Sequence, residues 1–312
     1  MKKLPLIIVA GPTASGKTRL AIEIAKVFDG EIVSADSMQI YKYMDIGTAK
    51  PTAGERAEAV HHLIDFIEPD RSYSVAEYVE DAHKCIAEII SRGKTPVMCG
   101  GTGLYIDSVA NDVTFGETEA DYALRDELRG LAEKHGAEYL IKMLAEFDPV
   151  SAERLHPNNI KRVIRAIEFY RLTGIPISEH QEETKKKESR YNSLMFCLDW
   201  ERETLYERIN KRVDIMIADG LPDEVARLRD MGYTRDMQSM QGIGYKEMLE
   251  YLDGEITLES SIEAVKQGSR RYAKRQMTWF RRNHSVHWLA PETAVASAAE
   301  IINSSGILKN PM

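Results

Sequence analysis

Cysteine is scarce. The three present, Cys85, Cys99 and Cys197, are odd in number and widely spaced, with no CxxC pair among 312 residues. That excludes a disulfide framework and the usual structural zinc site, and it fits a reducing cytoplasm. Long apolar runs are also missing. Nothing approaches the ~18 residues of a membrane span, so 43% hydrophobic and 29% charged residues read as a soluble globular chain without membrane contact. The opening Lys2, Lys3 and Leu4 to Ala10 resembles a signal peptide only superficially. Its apolar stretch is at the short limit of the ~7 to 15 residues needed, and Gly-Pro-Thr-Ala-Ser-Gly-Lys-Thr follows where a cleavage site would stand. A buried first strand is the better reading. Positive charge is not in excess either. A net charge of −8 argues against wholesale adhesion to nucleic acid and leaves the question to local patches.

What is present alternates. Leu6 to Ala10, Glu31 to Ala35 and Pro96 to Cys99 are short, β-branched-rich apolar runs ending in Gly or polar residues, the pattern of strands buried on both faces. Helical spacings separate them, over Arg19 to Phe28 and Val75 to Ile90. Such alternation predicts an α/β fold with a doubly wound parallel sheet, to which Leu194 to Leu198 and Val286 to Leu289 return. From Thr118 the pattern is helical only. The expected organisation is therefore a core over 1–117, an all-helical insertion domain over 118–190, core completion over 191–290 and a fraying Ala- and Ser-rich tail over 291–312. Glu182 to Arg190 reads as a solvated linker.

Gly11-Pro12-Thr13-Ala14-Ser15-Gly16-Lys17-Thr18 fits G-x-x-x-x-G-K-[ST] directly after a strand and before a helix. Average residue usage makes a chance match on the order of one in a hundred. Glycines let successive N–H groups converge on one anion, the helix N-terminus adds partial positive charge, and Lys17 adds a full one. Thr18 is the candidate Mg²⁺ ligand. These parts recognise a diphosphate and specify neither adenine nor ATP.

Ligands of open α/β sheets bind beyond the carboxyl ends of the strands. After the second strand come Asp36, Ser37, Met38, Gln39 and Tyr41, and a carboxylate there either holds Mg²⁺ through water or accepts a proton from a nucleophile. After the third comes Gly100-Gly101-Thr102-Gly103, whose glycines allow close backbone approach and whose Thr102 offers a hydroxyl. No acidic residue follows that strand, where many nucleotide hydrolases keep a Mg²⁺-holding aspartate; this counts against ATP hydrolysis. Adjacent His61 and His62 point to different faces and read as structural, and Asp45 to Pro51 reads as a surface loop.

Between Ala264 and Ala290 no acidic residue occurs. Lys266, Arg270 and Lys274 share one helical stripe there, with Arg271 and Arg275 beside it, and Arg281 and Arg282 follow. So local a patch points to a polyanion, against the alternative of a solvated face with no acidic partners to balance it. A second cluster, Lys161, Arg162 and Arg165, follows Asn158 and Asn159, and Arg208 and Arg212 lie four apart after Trp200. Basic elements flanking a diphosphate site suggest a long anionic substrate, an RNA read by shape and extruded bases.

Together, GPTASGKT at Gly11, DSMQIY at Asp36, DIGTAKP at Asp45, HHLID at His61, YSVAEY at Tyr73, GGTGLY at Gly100, NNIKRVIRAIE at Asn158, RINKRVD at Arg208, QGIGYKE at Gln241 and RQMTWFR at Arg275 resemble the tRNA dimethylallyltransferase family. The zinc-finger extension of some eukaryotic members is absent, which points to a bacterial-type or organellar form. The resemblance implies a P-loop kinase-like core with a helical insert. It implies dimethylallyl transfer from dimethylallyl diphosphate to N6 of adenine 37 in tRNAs reading codons that begin with U, with Mg²⁺ as cofactor and no obligate protein partner, the chain acting as a cytoplasmic monomer.

Carried over from the family, Asp36 is the general base and Thr102 binds the oxygen joining prenyl to diphosphate. Gly11 to Thr18 and Arg212 receive the diphosphate. The anticodon stem-loop falls to Asp36, Ser37, Met38, Gln39 and Thr102 at the strand ends and to Arg125, Asn159, Lys161, Arg162 and Arg165 of the insert. Gln241, Gly242, Gly244, Lys274 and Arg275 complete that surface. The rivals are a small-molecule kinase, an adenylate prenyltransferase and a non-catalytic RNA-binding protein.

Overall fold

The computed structural model describes residues 3–115 and 121–308. Lys2, the expected start of the insert at Thr118 and residues 309–312 of the expected tail lie outside the described residues. The chain divides into two compact units, Met1–Asn111 with Ser189–Met312, and Asp112–Glu188.

The larger unit begins with β1 (Leu4–Ala10), α1 (Lys17–Val27) and β2 (Gly30–Ser34), then α2 (Ala53–Glu58), the two-residue β3 (His61–His62), α3 (Val75–Ser91), β4 (Thr95–Gly100) and α4 (Gly103–Ala110). Capping boxes start two of these helices, Thr52 with Glu55 at α2 and Ser74 with Glu77 at α3, each satisfying two otherwise orphaned N–H groups. The smaller unit holds α5 (Tyr122–His135), α6 (Ala137–Ala145), α7 (Pro149–Arg154), α8 (Ile160–Thr173) and α9 (Ile177–Lys186). The larger then resumes with β5 (Tyr191–Leu198), α10 (Arg202–Ala218), α11 (Leu221–Asp230), α12 (Tyr245–Leu252), α13 (Leu258–Phe280), β6 (Val286–Leu289) and α14 (Ala294–Ser305).

All strand pairings are parallel, in the order β3-β2-β4-β1-β5-β6. Being central, β1 is buried from Leu6 to Ala10, which is why it reads as an unbroken apolar run. Its carboxyl end opens between the ends of β4 and β5, so whatever follows β1 faces both neighbours. One core layer packs Leu20, Ala21, Ile24 and Ala25 of α1 against Val9, Ile32 and Phe196 and reaches Ala298 and Ile302 of α14. The Ala- and Ser-rich tail is therefore not frayed as expected: small side chains let α14 lie close against α1. The smaller unit has its own core of Leu128, Leu140, Leu144, Val163 and Ile167. The expected linker from Glu182 is also corrected, because α9 continues to Lys186.

Candidate active site

The phosphate loop curls through three left-handed residues, Gly11 (φ 141°), Ala14 (φ 61°) and Gly16 (φ 96°). For Ala14 this conformation costs roughly 1 to 2 kcal/mol, and the neighbours that hold it are specific. Arg208 Nε donates to Ala14 O at 2.9 Å, Trp200 Nε1 donates to Ser15 O at 2.8 Å, and the Arg208 guanidinium lies 4.3 Å from the Trp200 ring centroid. The Thr13 N–H donates to Gln276 Oε1 at 3.0 Å and so is not among the amides offered to an anion. Ser15 Oγ is buried and has no hydrogen-bond partner among the described residues. Gly11 and Pro12 are buried beneath the loop, and the Pro12 carbonyl accepts from Lys17 Nζ at 3.3 Å.

The ends of the strands converge on this loop. Asp36 Oδ1 accepts the Met38 N–H at 2.9 Å, which orients the carboxylate and leaves Oδ2 available. Thr102 begins α4, and its hydroxyl accepts the Ser37 N–H at 3.1 Å. Asp36, Lys17, Thr18, Ser34 and Gln39 line a water-sized cavity of about 20 Å³. A larger cavity of about 820 Å³ takes in Thr13, Ala14, Gly16 to Arg19, Asp36 to Gln39, Gly47 to Thr52, the α10 face carrying Arg208, Arg212 and Ile215, Gln241 to Gly244, and Tyr272, Arg275 and Gln276 of α13. Its size is that of a small-molecule site.

Lys17 and Arg212 share this space with the Asp36 carboxylate. Burial holds the Lys17 ammonium below the ordinary lysine value, and the Arg212 charge lowers it further. Burial likewise lowers Arg212, opposed by Asp36. Desolvated like charges side by side favour binding of an anion. Cys99 and Cys197, nearby, are pushed by burial up to about 12 and stay neutral thiols. The residues fit Mg²⁺ as that ion is usually held in phosphoryl sites, by one or two protein oxygens plus the substrate phosphates: Thr18 and Asp36 edge the same small cavity, and among the described residues no cluster of three His, Cys, Asp or Glu side chains competes for a metal.

Asp45 to Pro51 is not a free surface loop. The buried Glu224 carboxylate accepts the N–H groups of Asp45, Ile46 and Gly47 at 2.9, 2.8 and 3.1 Å and the Tyr245 hydroxyl at 2.7 Å. Gln39 Nε2 donates to Thr48 O and Ala49 O, and buried Lys50 bonds to Tyr41 O, Asp45 and Asp65. The loop is thereby a fixed wall of the cavity. A Cβ on Gly47 would lie 2.5 Å from the rigid Tyr245 ring, which explains that glycine, and one on Gly242 would lie 2.5 Å from Met38 Cε. Gly244 starts α12 at φ 98°, and Gln241, exposed, donates to Arg235 O.

The basic helix is less free than expected. Lys266 pairs with Asp214 at 2.6 Å, and Arg270 with Glu263 at 2.9 Å and with Asn210; the balancing acids come from α10 and from the start of α13 itself. Arg271, Lys274 and Arg275 are exposed, Arg275 lying 5.5 Å from the Tyr272 ring. In the smaller unit, Arg125 and Arg165 both bond to the fully buried Glu168, Arg125 bidentately at 2.7 and 2.9 Å. Asn159, Lys161 and Arg162 are exposed at the start of α8. His61 Nδ1 bonds to Ala59 O and His62 Nε2 to Glu31, and His61, whose buried Nε2 has no hydrogen-bond partner among the described residues, also lines the small cavity.

Sequence reasoning missed Gln276, Trp200 and Glu224. Each acts across more than 170 residues of chain on a backbone atom, and no local spacing marks such a contact.

A family model described as IPP transferase matches residues 39–283. The tRNA dimethylallyltransferase of Acetivibrio thermocellus is 54% identical over 284 residues, 91% of each chain, and that of Lachnoclostridium phytofermentans 48% identical over 304 residues, 97% of each. Among solved structures, the full-length tRNA isopentenylpyrophosphate transferase of Bacillus halodurans matches with a TM-score of 0.73 at 44% identity, covering 99% of this chain and 98% of that one. A eukaryotic dimethylallyltransferase acting on tRNA matches with a TM-score of 0.84 at 29% identity, over 99% and 80%.

Proposed function

Because this chain belongs to the IPP transferase family, we propose that it transfers a dimethylallyl group from dimethylallyl diphosphate to N6 of adenine 37 in tRNAs reading codons that begin with U. The products are N6-(dimethylallyl)adenosine and diphosphate. The observation that carries this reading is the pairing of Lys17 and Arg212, two desolvated cations, with Asp36 in one cavity at the mouth of the phosphate loop.

An exocyclic adenine amine is a weak nucleophile, so holding it against the donor carbon contributes most. As the N6–C bond forms and the C–O bond to diphosphate breaks, the amine becomes cationic and Asp36 takes its proton. Lys17, Arg212 and the free amides of the loop neutralise the departing diphosphate. Thr102 holds the oxygen that leaves with it. Thr18, with Asp36 near it, would hold Mg²⁺, which adds charge neutralisation on the diphosphate when bound. The base must leave its stack to reach Asp36. Exposed Lys161, Arg162, Lys274 and Arg275 are the groups we assign to the tRNA backbone, with Ser37 to Gln39 and the Gln241 to Gly244 turn nearest the base. Arg125 and Arg165 are assigned there with one charge partner already in Glu168. No helix among the described residues is long and apolar enough to cross a membrane, and we place the protein in the cytoplasm as a monomer.

The test offers the protein either dimethylallyl diphosphate with an anticodon stem-loop or γ-labelled ATP with the same acceptor. Prenylation of the stem-loop supports the reading. Transfer of label from ATP makes it a kinase, and preference for AMP over the stem-loop makes it an adenylate prenyltransferase.

A further inference from the structure

Three consecutive residues of the turn after β4 each meet one residue of α13. Gln276 Nε2 donates to Gly101 O at 2.9 Å. The Tyr272 hydroxyl lies close to the Thr102 side chain. A Cβ on Gly103 would overlap the Trp279 indole, whose Nε1 donates to Asp107 at 2.7 Å. Residues 272, 276 and 279 are spaced by four and three and therefore share one helix face. The helix that carries the exposed cations thus presents a second, uncharged face to the Thr102 turn.

Gln276 reaches further than its neighbours on that face. Its Oε1 accepts the Thr13 N–H at 3.0 Å while its Nε2 serves Gly101, so one planar amide links the phosphate loop to the turn that bears Thr102. The side chain is 5% exposed, with both polar atoms bonded. Gly101 has no room for a side chain, because a Cβ there would overlap Gln276 Nε2.

We propose that Gln276 is a positioning residue for the transfer reaction: its amide sets the separation between the phosphate loop and Thr102. The donor's diphosphate and its bridging oxygen are then held in register. This rests on the prenyl-transfer reading. A rigid amide suits the task, because its donor and acceptor are fixed relative to each other. Misplacement of a reacting group by about 1 Å costs on the order of 10² in rate.

The experiment compares wild type, Gln276→Ala, Gly101→Ala and the double variant. It measures single-turnover transfer from dimethylallyl diphosphate, stem-loop affinity and thermal melting. Gln276→Ala is expected to slow transfer by roughly 10² with stem-loop affinity retained, and Gly101→Ala to reproduce that loss by displacing the amide. In the double variant the nearest obstacle to the new Cβ is gone and only the Gly11 carbonyl, at 3.2 Å, still crowds it, so transfer is no slower than in the worse single variant. A wild-type rate in Gln276→Ala, single losses that multiply in the double, or parallel loss of stem-loop affinity and melting temperature each overturn the inference. An active wild type separates that failure from failure of the reading itself. A wild type that transfers no prenyl group overturns both.

Discussion

The Thr102 hydroxyl accepts the Ser37 N–H at 3.1 Å, so a side chain at the end of β4 closes the turn that follows β2. Because Asp36 precedes Ser37, this bond also fixes where the carboxylate stands relative to Thr102. Thr102→Val keeps the volume and removes the acceptor. Its kcat is expected to fall by roughly 10², the scale of losing one stabilising contact to the leaving group, with Thr102→Ser restoring most of it. Steady-state kinetics on a stem-loop checks this.

Asp36→Asn preserves the acceptor for the Met38 N–H but cannot take a proton. Turnover is expected to drop by roughly 10² to 10⁴, while stem-loop binding, measured by filter retention, holds. Unchanged turnover removes Asp36 from the role of base.

Arg275 is exposed and its guanidinium lies near Tyr272 at the cavity. Arg275→Glu is expected to weaken tRNA binding and to lower the slope of log affinity against log salt by about 1 or more, each lost phosphate contact removing about 0.7 to 0.9. Donor binding should stay level. Equal loss of both affinities points to misfolding instead.

In the smaller unit, burial raises the Glu168 carboxyl, but hydrogen bonds from Arg125, Arg165 and the Asp121 N–H outweigh it, and the net shift is downward from 4.5. A depressed folded value means the stabilisation is complete above 4.5 and is lost as pH falls through the folded value. Glu168→Gln is expected to destabilise by about 2 to 3 kcal/mol at pH 7, because it removes the buried carboxylate to which both guanidinium groups bond. The gap from wild type should narrow as the pH is taken below 4.5. Urea melts at pH 7 and pH 4 measure it.

Much of the fold was legible because its signals are local. The apolar run of β1, the loop from Gly11 to Thr18 and the charge-free turn after β4 each lie within a few consecutive residues. What escaped notice depends on distant partners. The spacing of four in Lys266, Arg270 and Lys274 drew attention to one face of α13, while Gln276 and Trp279 on another face bond to Gly101 and Asp107 on either side of Thr102. The acids missing near Lys266 are supplied by Asp214 on α10. The polar composition of Asp45 to Pro51 suggested a free loop, yet one buried carboxylate, Glu224, gathers three of its amides. Small residues in α14 suggested fraying, although close packing against α1 requires them.

Mass spectrometry of bulk tRNA nucleosides, from cells with and without this protein, tests the central claim most directly. The account requires adenosine carrying an added C5H8 in cells that have the protein and its loss in those that lack it, with restoration by wild type and not by Asp36→Asn. Identical nucleoside profiles in the two cell types would contradict it.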